Sequence, residues 1–312
     1  VTSGLQTQKF RETLRKGSKS FSFATHLFSR ETRESVYYLY SWCRHCDDVT
    51  DGSILGFHQN PIGLEVNRVE HLKEMTHLGV REENPSIDTT FLAFGQVARK
   101  HQIPLVYADD LLIGMKRDAE AQKISNHADL LTYCYQVAGT VGLMMCHIMG
   151  LKDPRALKYA VDLGIALQMT NIARDIGDDY RVHKIYLPED WLQEENIPAT
   201  KLLEPEHALR LNFLVHRLLK EADHYYELGL RGLVDLPWRP ALAVAVASSI
   251  YRAIGIEVLK LGPEARTQRV TLSLFQKFKA LSWGISLLLK TIPDRIFFPR
   301  PISPISEIWR YS

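Results

Sequence analysis

The stretch Gln168-Met169-Thr170-Asn171-Ile172-Ala173-Arg174-Asp175-Ile176-Gly177-Asp178-Asp179 decides the fold. Gln168, Asn171, Asp175 and Asp179 are spaced three or four apart, so on a helix they form one continuous polar stripe. Leu163, Ile165, Leu167, Met169 and Ile172 make the rest apolar over much of its circumference. A helix of that kind is largely buried, and buried polar groups need partners. Upstream, Gly150 closes the preceding segment, and Asp153-Pro154 reads as an N-cap followed by Pro at the first helical position. One helix is therefore predicted from Pro154 to about Val182, roughly 40 Å long at about 1.5 Å per residue.

The same three-and-four periodicity runs through most of the chain, and no stretch alternates with period two. Helices are predicted at 5–16, 19–28, 31–52, 62–79, 87–101, 104–118, 128–150, 154–182, 205–231, 239–261 and 271–290. Breaks fall at Gly52-Ser53, Asn60-Pro61, Asn84-Pro85, Gly150 to Pro154 and Leu236-Pro237. The expectation is an all-α, single-domain helical bundle over 1–292. Residues 293–312 carry four prolines and read as an extended tail.

A second acidic cluster, Asp47-Asp48-Val49-Thr50-Asp51, lies on another predicted helix, behind Tyr40-Ser41-Trp42-Cys43-Arg44-His45-Cys46. In each cluster two carboxylates stand four apart, Asp47 with Asp51 and Asp175 with Asp179, where like charges repel. A hard divalent cation resolves that conflict. Mg²⁺ takes oxygen ligands from one or two carboxylates, phosphates and water. Mn²⁺ is the alternative. Two such clusters facing each other would hold a diphosphate through metal ions, with Arg44 and Arg174 gripping ligand oxygens or the diphosphate. A solvated helix face is the competing reading of each cluster alone.

Composition narrows the class. The chain has 312 residues, 46% of them hydrophobic, and a formal charge of +2, which disfavours a nucleic-acid binder. Four scattered cysteines do not make a disulfide scaffold, which favours a reducing compartment. There is no signal-peptide pattern and no run of about 18 apolar residues. A cytoplasmic protein is expected, with peripheral contact on the inner face of a membrane as a further possibility. Arg252 to Ser312 carries ten Lys/Arg against four Asp/Glu. Within it, Phe275 to Ile292 reads either as an amphipathic helix on an anionic bilayer or as a last helix with a solvated basic face.

The chain also resembles a known family, the squalene/phytoene synthases. The resemblance is carried by Gly17-Ser18-Lys19-Ser20-Phe21, by Leu39 to Asp51, by Tyr133-Cys134-Tyr135-Gln136-Val137-Ala138-Gly139-Thr140-Val141-Gly142, by Gln168 to Asp179, and by Ile185-Tyr186-Leu187-Pro188. These blocks keep the family's order over about 9–290. Cys43 to Asp48 and Val137 to Met145 are most similar to the bacterial 15-cis-phytoene synthases. The resemblance implies an isoprenoid-synthase bundle with a central cavity, in which two geranylgeranyl diphosphates are joined through prephytoene diphosphate. It implies Mg²⁺ ligation by Asp47, Asp51, Asp175 and Asp179, with Asp48, Asp178 and Asn171 at the metal shell. Tyr133 would stand near the ionising carbon or carry a proton. Ser18, Ser20, Arg44, Gln168, Arg174, Tyr251 and Arg269 would contact substrate. No NADPH is expected.

Several residues keep two readings. Val137, Gly139, Val141 and Gly142 either leave a groove for a prenyl chain or let helices pack closely. Arg181, His183 and Lys184 form a loop that either closes over diphosphate or is simply solvated. Cys43 and Cys46 read as small core residues, because zinc needs two more ligands. His147 reads as a core histidine. The functional rivals are a squalene or dehydrosqualene synthase using farnesyl diphosphate, and a non-catalytic helical assembly factor, which would be expected to lose the aspartates.

Overall fold

Local chemistry sets the helix ends. Asp153 adopts extended backbone and its carboxylate accepts from the Arg155 N–H at 2.9 Å, with Pro154 next, so the long helix begins where predicted. Gly150 sits at φ +85°, a conformation that favours glycine, and ends the helix before it. Ser273 and Gln276 form a reciprocal capping box at the start of a later helix.

The computed structural model describes residues 4–17, 25–51, 53–54, 57–58, 68–81, 87–151 and 153–297. The helices are α1 (Gly4–Gly17), α2 (Arg30–Asp51), α3 (Arg68–Arg81), α4 (Thr89–His101), α5 (Leu105–Ala119), α6 (His127–Cys134), α7 (Thr140–Ile148), α8 (Pro154–Arg181), α9 (Glu189–Glu194), α10 (Ala208–Leu230), α11 (Trp238–Leu261), α12 (Leu274–Lys290) and α13 (Ile292–Phe297). Ser53–Ile54 and Phe57–His58 pair as a two-residue antiparallel ribbon, Ser53 opposite His58. The architecture is all-α, as the periodicity predicts.

Helix α8 is the axis. It packs most extensively on α10 and also on α7 and α11. Thirteen of its residues are buried, among them Val161, Ile165, Met169 and Ile172. Gly164 lets the neighbouring chain approach: a Cβ there would stand 2.7 Å from the Ala138 carbonyl oxygen. Around α2, Trp42 stacks on Phe94 of α4 at 4.1 Å, and its indole N–H donates to Thr76 of α3.

Three elements differ from expectation. The predicted helix 128–150 contains a π turn at Tyr135–Gly139 between α6 and α7. Helix α9 follows Pro188 as a separate short turn. Residues 293–297, read as the start of an extended tail, fall within the helix Ile292–Phe297. Arg295 fixes them, donating from Nη1 to the Leu236 carbonyl at 2.8 Å and lying over the Trp238 ring. The predicted helix 19–28 falls mostly outside the described residues. The segment 238–266 is long and apolar enough to cross a membrane by length and composition, but half of that window is buried. The α11 helix within it packs on α8, α10 and α12.

Candidate active site

Helices α2, α5, α6 and α8 surround a cavity of about 700 Å³, within the usual range for a ligand site. Into this acidic chamber α2 brings Arg44 and Asp47, and α8 brings Asn171, Arg174, Asp175, Asp178 and Asp179. The polar stripe predicted on α8 therefore faces a cavity, not bulk solvent. A second cavity of about 360 Å³ lies alongside, walled mainly by apolar residues of α7, α8 and α11. Tyr40, Val137, Val141, Gln168 and Asn171 line both chambers.

The π turn helps to align that shared wall. Residues four apart drift by about 40° per step in an α-helix. A wider turn takes up part of that drift, and Tyr133, Val137 and Val141 all face the acidic chamber. The small residues both line a cavity and let helices pack closely. Val137, Val141 and Gly142 line the apolar chamber, while a Cβ on Gly142 would meet the Ala160 carbonyl oxygen at 2.6 Å.

The acidic clusters are tied to arginines. Arg44 reaches Asp47 at 2.9 Å and Asp48 at 2.7 Å. Arg174 pairs in a fork with Asp175, its Nε at 2.8 Å from Oδ1. Arg269, far along the chain, brings its Nε to 2.8 Å from Asp175 Oδ1. Arg181 pairs with Asp178 at 2.6 Å. Burial, then the neighbouring Asp175 charge, pushes the Asp179 carboxyl up to about 7, with Lys184 opposing.

These residues fit a divalent cation shared with a phosphate ligand. Among the described residues, no group of three or more His, Cys, Asp or Glu side chains is already placed to hold a metal ion. A Mg²⁺ that takes phosphate oxygens does not need an all-protein cage. Asn171 Oδ1 is buried with no hydrogen-bond partner among the described residues, beside this chamber. An orphaned carbonyl oxygen is a group that a cation would satisfy, and a cation would relieve the Asp175 charge that faces Asp179.

The remaining predicted residues are placed as follows. Asp48 is held by Arg44 and is not part of the chamber wall. Asp51 ends α2, and its side chain lies outside the described residues, as do Ser18 and Ser20. Tyr251 lines the apolar chamber. Lys184 lines the acidic chamber, whereas His183 is exposed. Cys43 borders the acidic chamber and Cys46 is buried in the core, each thiol pushed up by burial. His147 is buried beside the Tyr107 ring.

Tyr133 is 3% exposed and donates its hydroxyl proton to Asp118 Oδ2 at 3.0 Å. Its ring stacks on Tyr186 at 5.0 Å. Asp118 and Tyr186 both line the acidic chamber. Asp118 escapes the sequence reading because it sits in Lys116-Arg117-Asp118-Ala119-Glu120, which looks like an ordinary solvated helix end. The signal for Tyr186 was its place in the Ile185 to Pro188 block. Tyr40, inside the Leu39 to Asp51 block, and Leu111 and Met115, which carry no local signature, complete much of the wall.

The model of the squalene/phytoene synthase family matches residues 14–276. The 15-cis-phytoene synthase of Pantoea ananas is 42% identical over 304 residues, 96% of each chain. The 15-cis-phytoene synthase of Enterobacter agglomerans is 42% identical across 85% of this chain and 90% of that protein. Among solved structures, a ligand-bound dehydrosqualene synthase superposes with a TM-score of 0.77 at 26% identity, covering 91% of this chain and 96% of that one. A squalene synthase from Alicyclobacillus acidocaldarius shares the fold, with a TM-score of 0.71 at 20% identity over 83% and 97% of the two chains.

Proposed function

The chain belongs to the squalene/phytoene synthase family and is a prenyltransferase, and on that premise we propose that it joins two geranylgeranyl diphosphates into 15-cis-phytoene. The observation that carries this reading is an acidic, arginine-lined chamber sharing a wall with an apolar one. A prenyl diphosphate has the same two-part chemistry.

In this reading Asp47, Asp51, Asp175 and Asp179 hold Mg²⁺ or Mn²⁺, with Asn171, Asp48 and Asp178 in support. Bound there, the cation neutralises charge on the leaving diphosphate. Arg44, Arg174 and Arg269, with Ser18 and Ser20, grip the diphosphate oxygens; their carboxylate partners are exchanged for phosphate as substrate enters. Gln168 positions the allylic end at the boundary between chambers. Val137, Val141 and Tyr251 enclose the prenyl chains. The aromatic faces of Tyr40, Tyr133 and Tyr186 favour an allylic cation, and the apolar walls keep water from it.

The choice of the twenty-carbon substrate is supported by the phytoene synthases at about 42% identity. A second reading, farnesyl diphosphate to dehydrosqualene, draws on the 26% identical dehydrosqualene synthase. Purified protein incubated with Mg²⁺ and each diphosphate separately, without NADPH, decides between them. A C40 hydrocarbon from geranylgeranyl diphosphate is expected. A C30 hydrocarbon mainly from farnesyl diphosphate overturns the chain length, and no hydrocarbon from either overturns the activity.

A cytoplasmic protein in peripheral contact with an anionic membrane belongs to the same proposal. Helix α12 has no acidic residue, carries Lys277, Lys279 and Lys290, and exposes Leu274, Phe275, Phe278, Ile285 and Leu289. Basic residues beside an apolar face suit a lipid surface, and a C40 hydrocarbon must leave into one.

A further inference from the structure

Tyr133 is poorly suited to act alone as a base. Its ring is buried, and burial together with the neighbouring Asp118 charge keeps the phenol protonated far beyond its ordinary range. A neutral phenol takes up a proton only if it passes its own onward. Its hydrogen already points at one acceptor, the Asp118 carboxylate at 3.0 Å. Tyr186 stacks against the same ring and its hydroxyl lies within hydrogen-bonding reach of both Tyr133 and Asp118. One carboxylate thus orients two phenols along a single wall of the chamber.

Bonded this way, the Tyr133 hydroxyl directs its own proton to Asp118, so toward the chamber its oxygen can act only as an acceptor. An anionic acceptor behind the O–H also makes that oxygen more electron-rich. Both effects suit a wall that faces a carbocation. The arrangement is off the two acidic clusters: Asp118 is on α5, Tyr133 on α6 and Tyr186 in the loop after α8. The neighbouring Arg117 pairs with Asp129 at 2.6 Å and lies over the Tyr133 ring at 5.9 Å, leaving the Asp118 carboxylate to accept from Tyr133.

We propose that Asp118 is the positioning residue of this reaction and the terminus of a proton relay through Tyr133. The inference rests on the prenyl-coupling reading above. In the first coupling step the C–O bond of one substrate breaks, and its electron pair leaves with the diphosphate. New carbon–carbon bonds close the cyclopropane, and one proton leaves carbon. That proton goes to the Tyr133 oxygen while the Tyr133 hydroxyl proton goes to Asp118 Oδ2, leaving a neutral phenol and a protonated carboxyl. Asp118 returns its proton to solvent through the chamber it lines.

The test is steady-state kinetics on D118N, Y133F and the double variant, with wild type in parallel and Mg²⁺ saturating. Asn keeps the shape of Asp but takes no proton. The relay predicts that kcat for D118N falls by about 100-fold or more, the usual range for proton-transfer groups. KM should stay within about threefold, and the double variant should be no slower than Y133F, because residues acting as a unit are non-additive. D118E, which restores an acceptor, should regain at least about tenfold over D118N. Near-wild-type kcat in D118N, a loss expressed in KM alone, or fully additive losses would each overturn the relay. If D118N does not fold by circular dichroism, D118E decides: folded D118E as slow as Y133F overturns it, and turnover within about tenfold of wild type supports it. Wild type that makes no hydrocarbon fails the coupling reading itself, a result distinct from any of these.

Discussion

Asp179 holds the site's most directly testable acid–base property. Its carboxyl is pushed up to about 7 by burial and Asp175. A raised carboxyl means the native state holds a proton that the unfolded chain gives up near its ordinary value. Asp179 therefore subtracts from metal-free stability as pH climbs from about 4 toward 7. A cation binds the ionised form, so Mg²⁺ should expel a proton and bind more tightly as pH rises through 7. Isothermal titration at pH 6.5, in buffers of different ionisation enthalpy, is expected to report proton release. A binding heat independent of buffer contradicts this assignment. Arg269 poses a second residue-level question, since it bridges from a distant loop to Asp175 at 2.8 Å. R269A should raise KM for the diphosphate more than it lowers kcat, and unchanged kinetics would leave Arg269 a surface ion pair.

At the scale of elements, packing around α8 makes a sharper claim than the periodicity alone. Gly164 stands where a Cβ would come within 2.7 Å of backbone. G164V should destabilise the fold by roughly 1–3 kcal/mol through overpacking, seen as a lower urea midpoint with an unchanged slope. An unchanged midpoint would mean that the π turn at Tyr135–Gly139 shifts freely against α8. The helices themselves were legible: apolar spacing, Gly150 and Asp153-Pro154 mark α8 almost to the residue. The π turn was not, because no Gly, Pro or capping signal peculiar to it marks Tyr135 to Ala138 as departing from an α-helix. Asp118 was hidden for a related reason. Its partner Tyr133 is fifteen residues away, and only the reversal of the chain between α5 and α6 joins them. The two aspartate clusters could be read because each is a local pattern, i to i+4, on its own helix. Their shared chamber is a tertiary fact that spacing only suggests.

The whole molecule presents its site and its basic apolar helix as separate surfaces. Phe275 and Phe278 are among the most exposed large apolar side chains described. Wild type should float with vesicles containing anionic lipid and remain behind with neutral ones, and F275E/F278E should remain behind with both while keeping turnover in detergent. Equal flotation of the two proteins would remove the membrane reading and leave the active site untouched. Beneath all of this stands the claim that acidic clusters from two helices serve one diphosphate site. The most direct measurement compares wild type, D47N and D175N for hydrocarbon formed from geranylgeranyl diphosphate, with Mg²⁺ and with chelator. The account predicts product only from wild type with metal, and at least about a 100-fold loss in each folded variant. Near-wild-type product from either variant, or from chelated wild type, would contradict it.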